Sequence, residues 1–349
     1  MGNLMSNKKV ILLNIEAVRT QLMRASQACG ASETVASAIS EASLDAEIEG
    51  SIVTGLSHFV LYCEAMLAGR VDGRATPIVS KPTPVLFSVD ARQGFLHIGF
   101  DSELDAFCTS ATQFGVGIFS ASNGFTCGNL GYFARRVAER NLVALAATNA
   151  GPAMLAASGS TKPVFATNPI AFAAPRDNGA PLLIDQASSQ ATWVSILQAA
   201  EKGESIPAGQ AIDADGNPTI DPSKALKGAL VAAGGQRGAN IALMVEMLAA
   251  GLTGSNWSLD APSFAEGDQS PGVGLLVIAI NPILLGGDDY TKRLAEYLDR
   301  LDTEYGVYVP GTSRAKKYAQ SLNEGIEVDE WVWETIIRFS DSGKSSAHR

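Results

Sequence analysis

The stretch Asn123-Gly-Phe-Thr-Cys-Gly-Asn-Leu-Gly131 decides which class of fold this chain adopts. It follows a segment at 115–122 whose apolar pattern predicts a strand, and it precedes a segment at 132–140 with helical spacing. The glycine-rich turn of the common dinucleotide-binding βαβ fold needs the spacing G-x-G-x-x-G, which is absent here. The sequence therefore argues against that doubly wound fold.

The rest of the chain mixes helices and strands without the regular alternation of a parallel α/β protein. Helical spacing of apolar residues predicts helices at 15–28, 32–46, 57–67, 102–113, 132–140, 188–202, 237–252 and 291–302. Apolar runs and alternation predict strands at 77–90, 115–122, 143–148, 165–174, 181–185 and 273–280. Segments 316–321 and 329–339 close the fold, and 208–223 and 255–272 are predicted to be loops.

These elements predict an α+β fold in two parts. Residues 10–75 and 290–339 form a helical lobe, and residues 76–289 form a sheet domain. The Ser-rich segment 340–349 is predicted to be a disordered tail.

Composition places the chain among globular proteins with a large core. It has 349 residues, of which 46% are apolar and 18% charged. The 26 Lys and Arg against 36 Asp and Glu give a net charge of −10, without the basic stripe that nucleic acids or anionic membranes require. No apolar run reaches ~18 residues, and residues 1–9 lack the apolar region of a signal peptide.

The histidines and cysteines limit the possible chemistry. Only His58, His97 and His348 are available, which argues against a metal centre built from several histidines. The cysteines are widely spaced and form no C-x-x-C motif, which predicts buried reduced thiols and no metal site. They are Cys29, Cys63, Cys108 and Cys127. Together with the absent signal region, these features predict a cytoplasmic protein.

Several loops place small and polar residues between apolar segments, and each has a functional and a structural interpretation. The helix start after 123–131 suits a phosphate or carboxylate, or is simply a tight turn. Gly234-Gly-Gln-Arg-Gly238 combines glycines, a cation and a helix start, which suit an anion, or it is a turn with a solvated arginine. Thr167 and Asn168 interrupt an apolar run, and Arg176 meets a phosphate or is solvated.

Two titratable residues are candidates for acid–base chemistry. Asp185 closes an apolar strand, where a partly buried carboxylate can hold or relay a proton. The alternative is a cap for the helix that starts near Ser188, which the sequence alone favours. His58 lies on a predicted amphipathic helix, where a lone histidine is more often structural than catalytic.

A series of short motifs carries a family resemblance. They are Gly69-Arg-Val-Asp-Gly73, Gly128-Asn-Leu-Gly-Tyr-Phe133, Thr148-Asn-Ala-Gly-Pro152, Thr167-Asn-Pro-Ile-Ala-Phe172, Pro207-Ala-Gly209, Asp213-Ala-Asp-Gly-Asn-Pro-Thr219, Asp221-Pro222, Gly234-Gly-Gln-Arg-Gly238, Glu246-Met-Leu-Ala-Ala-Gly-Leu-Thr-Gly254 and Val309-Pro-Gly311. In this order, over nearly the whole chain, they resemble the malate/L-lactate dehydrogenase-type oxidoreductases, which lack the common dinucleotide-binding fold. Among these the chain is most similar to reductases of Δ1-pyrroline-2-carboxylate and Δ1-piperideine-2-carboxylate.

The resemblance implies a largely antiparallel mixed sheet flanked by helices, a homodimer, and NADPH or NADH bound by the sheet domain. Enzymes of this family move a hydride to or from a carbon next to a carboxylate, at a C=O or C=N bond. Carried over residue by residue, Asp185 falls on the active-site aspartate. The positions that fall on cofactor-contacting segments are Thr126, Cys127, Gly128, Pro175, Arg176, Gln236, Arg237 and Gly311. Substrate contacts are expected from Thr167, Asn168 and His58.

The chain departs from the family where a Ser-His-Gly motif and a following arginine are usual. Those places hold Val53-Thr54-Gly55 and His58, the family's second histidine corresponds to Thr126, and its lysine to Arg237. The expected proton carrier and a carboxylate clamp are thereby lost. Three explanations stay open: His58 has taken over a role, the substrate is an imine that needs little acid help, or catalysis is changed or lost.

The resulting hypothesis is an NAD(P)H-dependent oxidoreductase that reduces a small 2-imino acid, such as Δ1-pyrroline-2-carboxylate, or a 2-oxo acid. Asp185, His58 and Thr54 are its candidate catalytic residues, and a small carboxylate is its substrate. Because imines are often protonated near neutral pH and ketones are not, the missing histidine favours an imine. The alternatives are a 2-hydroxy-acid dehydrogenase of the malate or lactate type and a non-catalytic ligand-binding relative.

Overall fold

A computed structural model describes residues 9–346 of the chain. The helices are α1 (Ile15–Ala28), α2 (Glu33–Ile48), α3 (Leu56–Leu67), α4 (Leu96–Phe114), α5 (Gly131–Ala138), α6 (Trp193–Lys202), α7 (Pro222–Ala225), α8 (Gln236–Glu246), α9 (Pro282–Gly286), α10 (Tyr290–Thr303), α11 (Thr312–Glu324) and α12 (Glu330–Ser346). A π-helical turn, Met247–Gly251, continues α8.

The strands are β1 (Val10–Leu13), β2 (Ile78–Thr83), β3 (Leu86–Asp90), β4 (Val116–Gly124), β5 (Val143–Thr148), β6 (Leu155–Ala156), β7 (Pro163–Phe165), β8 (Ile170–Ala174), β9 (Leu182–Gln186), β10 (Ala211–Ile212), β11 (Pro218–Thr219), β12 (Ala229–Val231), β13 (Val273–Ile280) and β14 (Ile326–Asp329). Among the described residues, no helix combines the length and apolarity needed to cross a membrane.

The main sheet has the strand order β2-β3-β4-β13-β5-β8-β9. Only the β3–β4 pair is parallel, and the other neighbours are antiparallel. The central strand β13 is apolar throughout because both of its faces are covered. The predicted α+β class with a largely antiparallel mixed sheet is confirmed.

Helices α4 and α5 cover one face of this sheet with aromatic side chains. Phe100 packs edge-on against Phe119 of β4 and against Phe133 of α5, with ring centroids 5.2 and 4.9 Å apart. Helix α4 begins at Leu96, six residues before the predicted start. Its first turn is buried on all sides, so the sequence there shows no amphipathic periodicity.

A second core lies among α1, α2, α3 and α12. The Asn14 side chain caps α1 by accepting from the backbone N–H of Glu16, and the Ser32 hydroxyl caps α2. Strands β1 and β14 pair antiparallel and hold the two ends of the described chain together. The division into a lobe of residues 10–75 and 290–339 and a sheet domain of residues 76–289 stays a prediction.

A smaller sheet of order β11-β10-β12-β6-β7 was not foreseen. The segment 208–223 contains β10, β11 and the start of α7, where the sequence predicts a loop. The strand predicted at 165–174 is two strands, β7 and β8. It is interrupted where Asn168 adopts a left-handed backbone with φ +39° and Pro169 has no N–H to donate.

The C-terminal helix is longer than predicted. Residues 340–346 continue α12, where the sequence predicts disorder, because a hydrogen bond at Ser340 holds this part of α12 against α1. Gln21 donates a hydrogen bond of 2.6 Å to the Ser340 hydroxyl, which itself donates to the carbonyl of Ile337. The last predicted tail residues, 347–349, lie outside the described residues and include His348.

Candidate active site

Asp185 stands at the end of β9, directly beside the start of α5. Its Oδ2 accepts a hydrogen bond of 3.0 Å from the backbone N–H of Gly131, and its side chain is 13% exposed. A Cβ at position 131 would lie 3.0 Å from this same oxygen, so any larger residue would press the carboxylate away from the backbone. Burial raises the pKa of Asp185, although Arg314 and the Gly131 N–H act against the rise.

The turn before α5 meets α3 through Thr126 and His58. The imidazole Nε2 of His58 lies 3.2 Å from the Thr126 hydroxyl oxygen, and the His58 ring packs edge-on against Tyr62. Gly128 has φ +60°, and a Cβ there would lie 2.8 Å from the Tyr62 hydroxyl oxygen. Cys127 is buried, which raises the pKa of its thiol to about 12.

His58 is neutral at physiological pH. Partial burial lowers the pKa of His58 to about 4, so its imidazole is uncharged near pH 7. Thr54 lies in the segment before α3 and donates its hydroxyl to the carbonyl of Ser51 at 3.2 Å. Thr54 lines one small cavity together with Tyr62 and Gly128, which places Thr54 at the 126–131 turn. His58 reaches the same turn through its contact with Thr126.

The hairpin of β8 and β9 carries two further predicted positions. Pro175 and Arg176 lie in its turn, where Arg176 Nε donates to the carbonyl of Ala180 at 2.7 Å. Gly311, with φ +88°, lies against β9, and a Cβ there would be 3.0 Å from the backbone nitrogen of Leu183. Gly311 therefore lies beside the short strand that carries Asp185.

Gln236 and Arg237 are exposed at the start of α8. The turn before them reaches the Asp185 region through the backbone, because Ala233 N–H donates to the carbonyl of Ser188 at 2.9 Å. Ser188 lies three residues after Asp185. The structure thus joins the turn that carries Arg237 to the segment that directly follows the strand of Asp185.

Thr167 and Asn168 precede β8 and differ in their surroundings. The backbone carbonyl of Thr167 accepts from Ser188 N–H, and its side chain is partly exposed. Asn168 is fully buried, and its amide donates to the carbonyl of Ala242 and to Glu246. These contacts tie the loop to α8, and a substrate role for either residue stays a prediction.

The comparison with known families decides the identity. A family model described as malate/L-lactate dehydrogenase matches residues 13–337. The chain belongs to the malate/L-lactate dehydrogenase family. The predicted family and the predicted oxidoreductase class are thereby confirmed.

Relatives within this family cover almost the whole chain. A (2R)-3-sulfolactate dehydrogenase (NADP(+)) of Chromohalobacter salexigens is 33% identical over 95% of this chain and 98% of its own. A Δ1-pyrroline-2-carboxylate/Δ1-piperideine-2-carboxylate reductase of Pseudomonas putida is 32% identical over 93% and 96%. The crystal structure of the Δ1-piperideine-2-carboxylate reductase of Pseudomonas syringae pvar. tomato superposes with a TM-score of 0.89 at 31% identity, covering 94% and 99%.

The turns that fall on the family's cofactor-contacting segments are suited to the phosphates of a nicotinamide nucleotide. Gly234 and Gly235 have φ +69° and +63°, and no atom lies within 4 Å of where their Cβ atoms would stand. No described side chain caps α8, so the positive end of its dipole is available beside Arg237. Open backbone, a helix start and a cation fit an anionic group.

Two charged residues of the site were missed by sequence analysis. Arg314 of α11 places its Nη1 3.5 Å from Asp185 Oδ2 and 3.3 Å from Glu49 Oε1. Asn129 Nδ2 donates to the same Glu49 oxygen at 2.5 Å. Arg314 lies only three residues after the Val309-Pro-Gly311 motif, but nothing in the local pattern links it to residues 49 and 185.

A third missed residue is Glu47, near the end of α2. Its Oε2 accepts a hydrogen bond of 2.8 Å from the backbone N–H of Leu56, the first residue of α3. Burial raises the pKa of Glu47 to about 7. Glu47 therefore caps the helix that carries His58. The Glu47 carboxyl itself gains or loses its proton near neutral pH.

Proposed function

We propose that this chain is an NADPH-dependent reductase of a small 2-imino acid, with a cyclic imine such as Δ1-pyrroline-2-carboxylate as the first candidate and a 2-oxo acid as the second. The activities of the two relatives, a sulfolactate dehydrogenase and a Δ1-pyrroline-2-carboxylate/Δ1-piperideine-2-carboxylate reductase, support a small acid as substrate, and the first of them is named as NADP(+)-dependent. The main structural support for this proposal is the Asp185 carboxylate, which accepts a hydrogen bond from the Gly131 N–H beside the turn that contacts His58.

The proposed role of each residue follows from its charge. The nicotinamide supplies the hydride when bound. Arg237 and the open turn at Gly234 hold a cofactor phosphate, and Arg176 is the candidate for a second one. Asp185 offers a negative charge that steadies an iminium or the proton that the reaction consumes. His58 and Thr126 offer neutral hydrogen-bonding groups to the substrate.

The protonation states favour an imine over a ketone. A ketone needs a proton when the hydride arrives, whereas an imine protonated in water already carries it. His58 is a poor proton donor at neutral pH because its pKa is lowered to about 4. A site with Asp185 as its anion and without a cationic histidine acid therefore suits a substrate that arrives as a cation.

We further propose a cytoplasmic homodimer. Helix α8 and the π-helical turn expose large apolar side chains, which favours burial against a second copy. They are Ile241, Leu243, Met244 and Met247. Cys29, Cys63, Cys108 and Cys127 are unpaired and buried, which suits a reducing compartment.

Two measurements test the proposed function. Titration with NADPH while nicotinamide fluorescence is followed should show saturable binding, and no binding would reject an NADPH enzyme. A panel of cyclic imines and 2-oxo acids should then give the highest kcat/KM with an imine. Turnover of ketones alone, with oxidation of 2-hydroxy acids at alkaline pH, would establish the malate or lactate type instead. Binding without any turnover would indicate the non-catalytic relative.

A further inference from the structure

One guanidinium serves two carboxylates beside the proposed reaction centre. Arg314 Nη1 lies 3.3 Å from Glu49 Oε1 and 3.5 Å from Asp185 Oδ2, so a single N–H-bearing atom is divided between them. Both distances are long for a charge-assisted hydrogen bond, which normally spans about 2.7 to 2.9 Å. Neither carboxylate therefore has Arg314 to itself.

The two carboxylates differ in their other partners. Glu49, only 4% exposed at its side chain, also accepts from Asn129 and lies 3.9 Å from Arg135 Nε. Arg135 is engaged chiefly by Asp45, at 2.7 Å. Asp185 has the Gly131 N–H and no second cation among the described residues.

Another titratable group near Asp185 is the buried Cys127 thiol, whose pKa the Asp185 charge helps to raise. Burial raises the pKa of both Asp185 and Glu49, and Arg314 opposes the rise at both. The ionisation of Asp185 therefore depends on how much of the Arg314 charge Glu49 leaves to it.

We propose that Arg314 is a positioning residue that keeps Asp185 ionised and aimed at the 126–131 turn, and that Glu49 weakens this effect by competing for the same guanidinium. The catalytic meaning of this arrangement rests on the proposed function, because it concerns the charge that Asp185 presents to a cationic substrate. The arrangement itself belongs to the protein and is measurable without substrate.

The proposal predicts opposite effects from two neighbouring substitutions. In Arg314→Gln the carboxylate of Asp185 loses its neighbouring cation, so the pKa of Asp185 rises further above its ordinary value. In Glu49→Gln a competing negative charge disappears and Arg314 is freed, so the pKa of Asp185 falls. Arg314→Lys keeps the charge and returns the pKa most of the way to the wild-type value.

The experiment is a carbon-13 NMR pH titration of protein labelled at aspartate Cγ, with the Asp185 signal assigned by its loss in Asp185→Asn. Shifts of opposite sign in Arg314→Gln and Glu49→Gln support the proposal. Shifts of the same sign, or no shift in Glu49→Gln, overturn it, and Glu49→Gln alone decides if Arg314→Gln does not fold. Arg300→Gln, on the exposed face of α10 where Arg300 pairs with Glu304, is the matched control and should leave the titration unchanged.

The pH profile of kcat/KM gives the second readout. Its acid limb should move to higher pH in Arg314→Gln and to lower pH in Glu49→Gln, with Arg314→Lys close to wild type. A fall in kcat/KM by the same factor at every pH in both variants would indicate a merely structural role. If the wild-type protein turns over none of the candidate substrates, the proposed function fails while the NMR titration still decides this inference.

Discussion

Gly128 shows how a single backbone position shapes the turn that faces His58. Its φ of +60° belongs to the left-handed region, and a Cβ would lie 2.8 Å from the hydroxyl oxygen of the buried Tyr62. Gly128→Ala therefore destabilises the folded state in two ways. The backbone conformation costs about 1 kcal/mol, and the added methyl group collides with the hydroxyl of the buried Tyr62.

We expect Gly128→Ala to lower the thermal midpoint and to weaken NADPH binding at least tenfold, measured by scanning fluorimetry and nicotinamide fluorescence. Gly203→Ala is the matched control, because Gly203 has φ +66° with no atom within 4 Å of its Cβ position. If both variants behave alike, the contact with Tyr62 has no consequence and only the backbone conformation matters.

Asp185 offers the sharpest test of chemistry at one residue. Asp185→Asn keeps the shape and an acceptor for the Gly131 N–H but removes the charge. We expect kcat/KM for the imine to fall by about 10² or more, the usual range for losing an acid–base group, with little change in NADPH affinity. Asp105→Asn, which removes an exposed partner of Arg140, should retain wild-type rates. Undiminished turnover in Asp185→Asn would leave Asp185 a structural role only.

The junction between α2 and α3 carries a pH-dependent contact. Glu47 has a folded pKa of about 7 against an ordinary value of 4.5, so the unfolded chain releases this proton at lower pH than the folded one. As pH rises from about 4.5 to 7 the folded state is therefore progressively disfavoured, and above 7 the loss is complete. The expected decrease in the free energy of unfolding is about 2 to 3 kcal/mol.

Chemical unfolding at pH 5 and pH 8 checks this expectation. Glu47→Gln, which keeps an acceptor for Leu56 N–H, should lose that part of the pH dependence. Glu327→Gln, on the exposed face of β14, should follow the wild-type curve. Equal pH dependence in Glu47→Gln and wild type would show that Glu47 keeps an ordinary pKa.

Elements with strong periodicity were predictable, and short ones were not. Helix α1 and strands β5 and β13 have the predicted bounds because a buried stripe or a buried run fixes them. The strands of the small sheet span two or three residues each, too few to show any alternation. In the site, Asp185 stood out because it ends an apolar strand, whereas Glu49 and Arg314 meet only through packing of α2 against α11.

At the scale of the whole molecule, the exposed apolar face of α8 predicts a second copy. Light scattering coupled to size-exclusion chromatography should give twice the chain mass for the wild-type protein. Met247→Glu places a charge on this face and should shift the mass toward that of one chain. Leu67→Glu, at an even more exposed apolar residue at the end of α3, is the control and should leave the mass unchanged. A wild-type mass of one chain would reject the dimer.

Strands β1 and β14 pair although more than three hundred residues separate them along the chain. During synthesis β1 leaves the ribosome long before β14 has been made. The apolar faces of α1, α2 and α3 are therefore fully buried only after α12 has been synthesised. Pairing between strands so far apart in the chain is slow, and it leaves apolar surface exposed during synthesis. Production in cells should therefore depend on chaperone supply more strongly than the length of the chain alone would require.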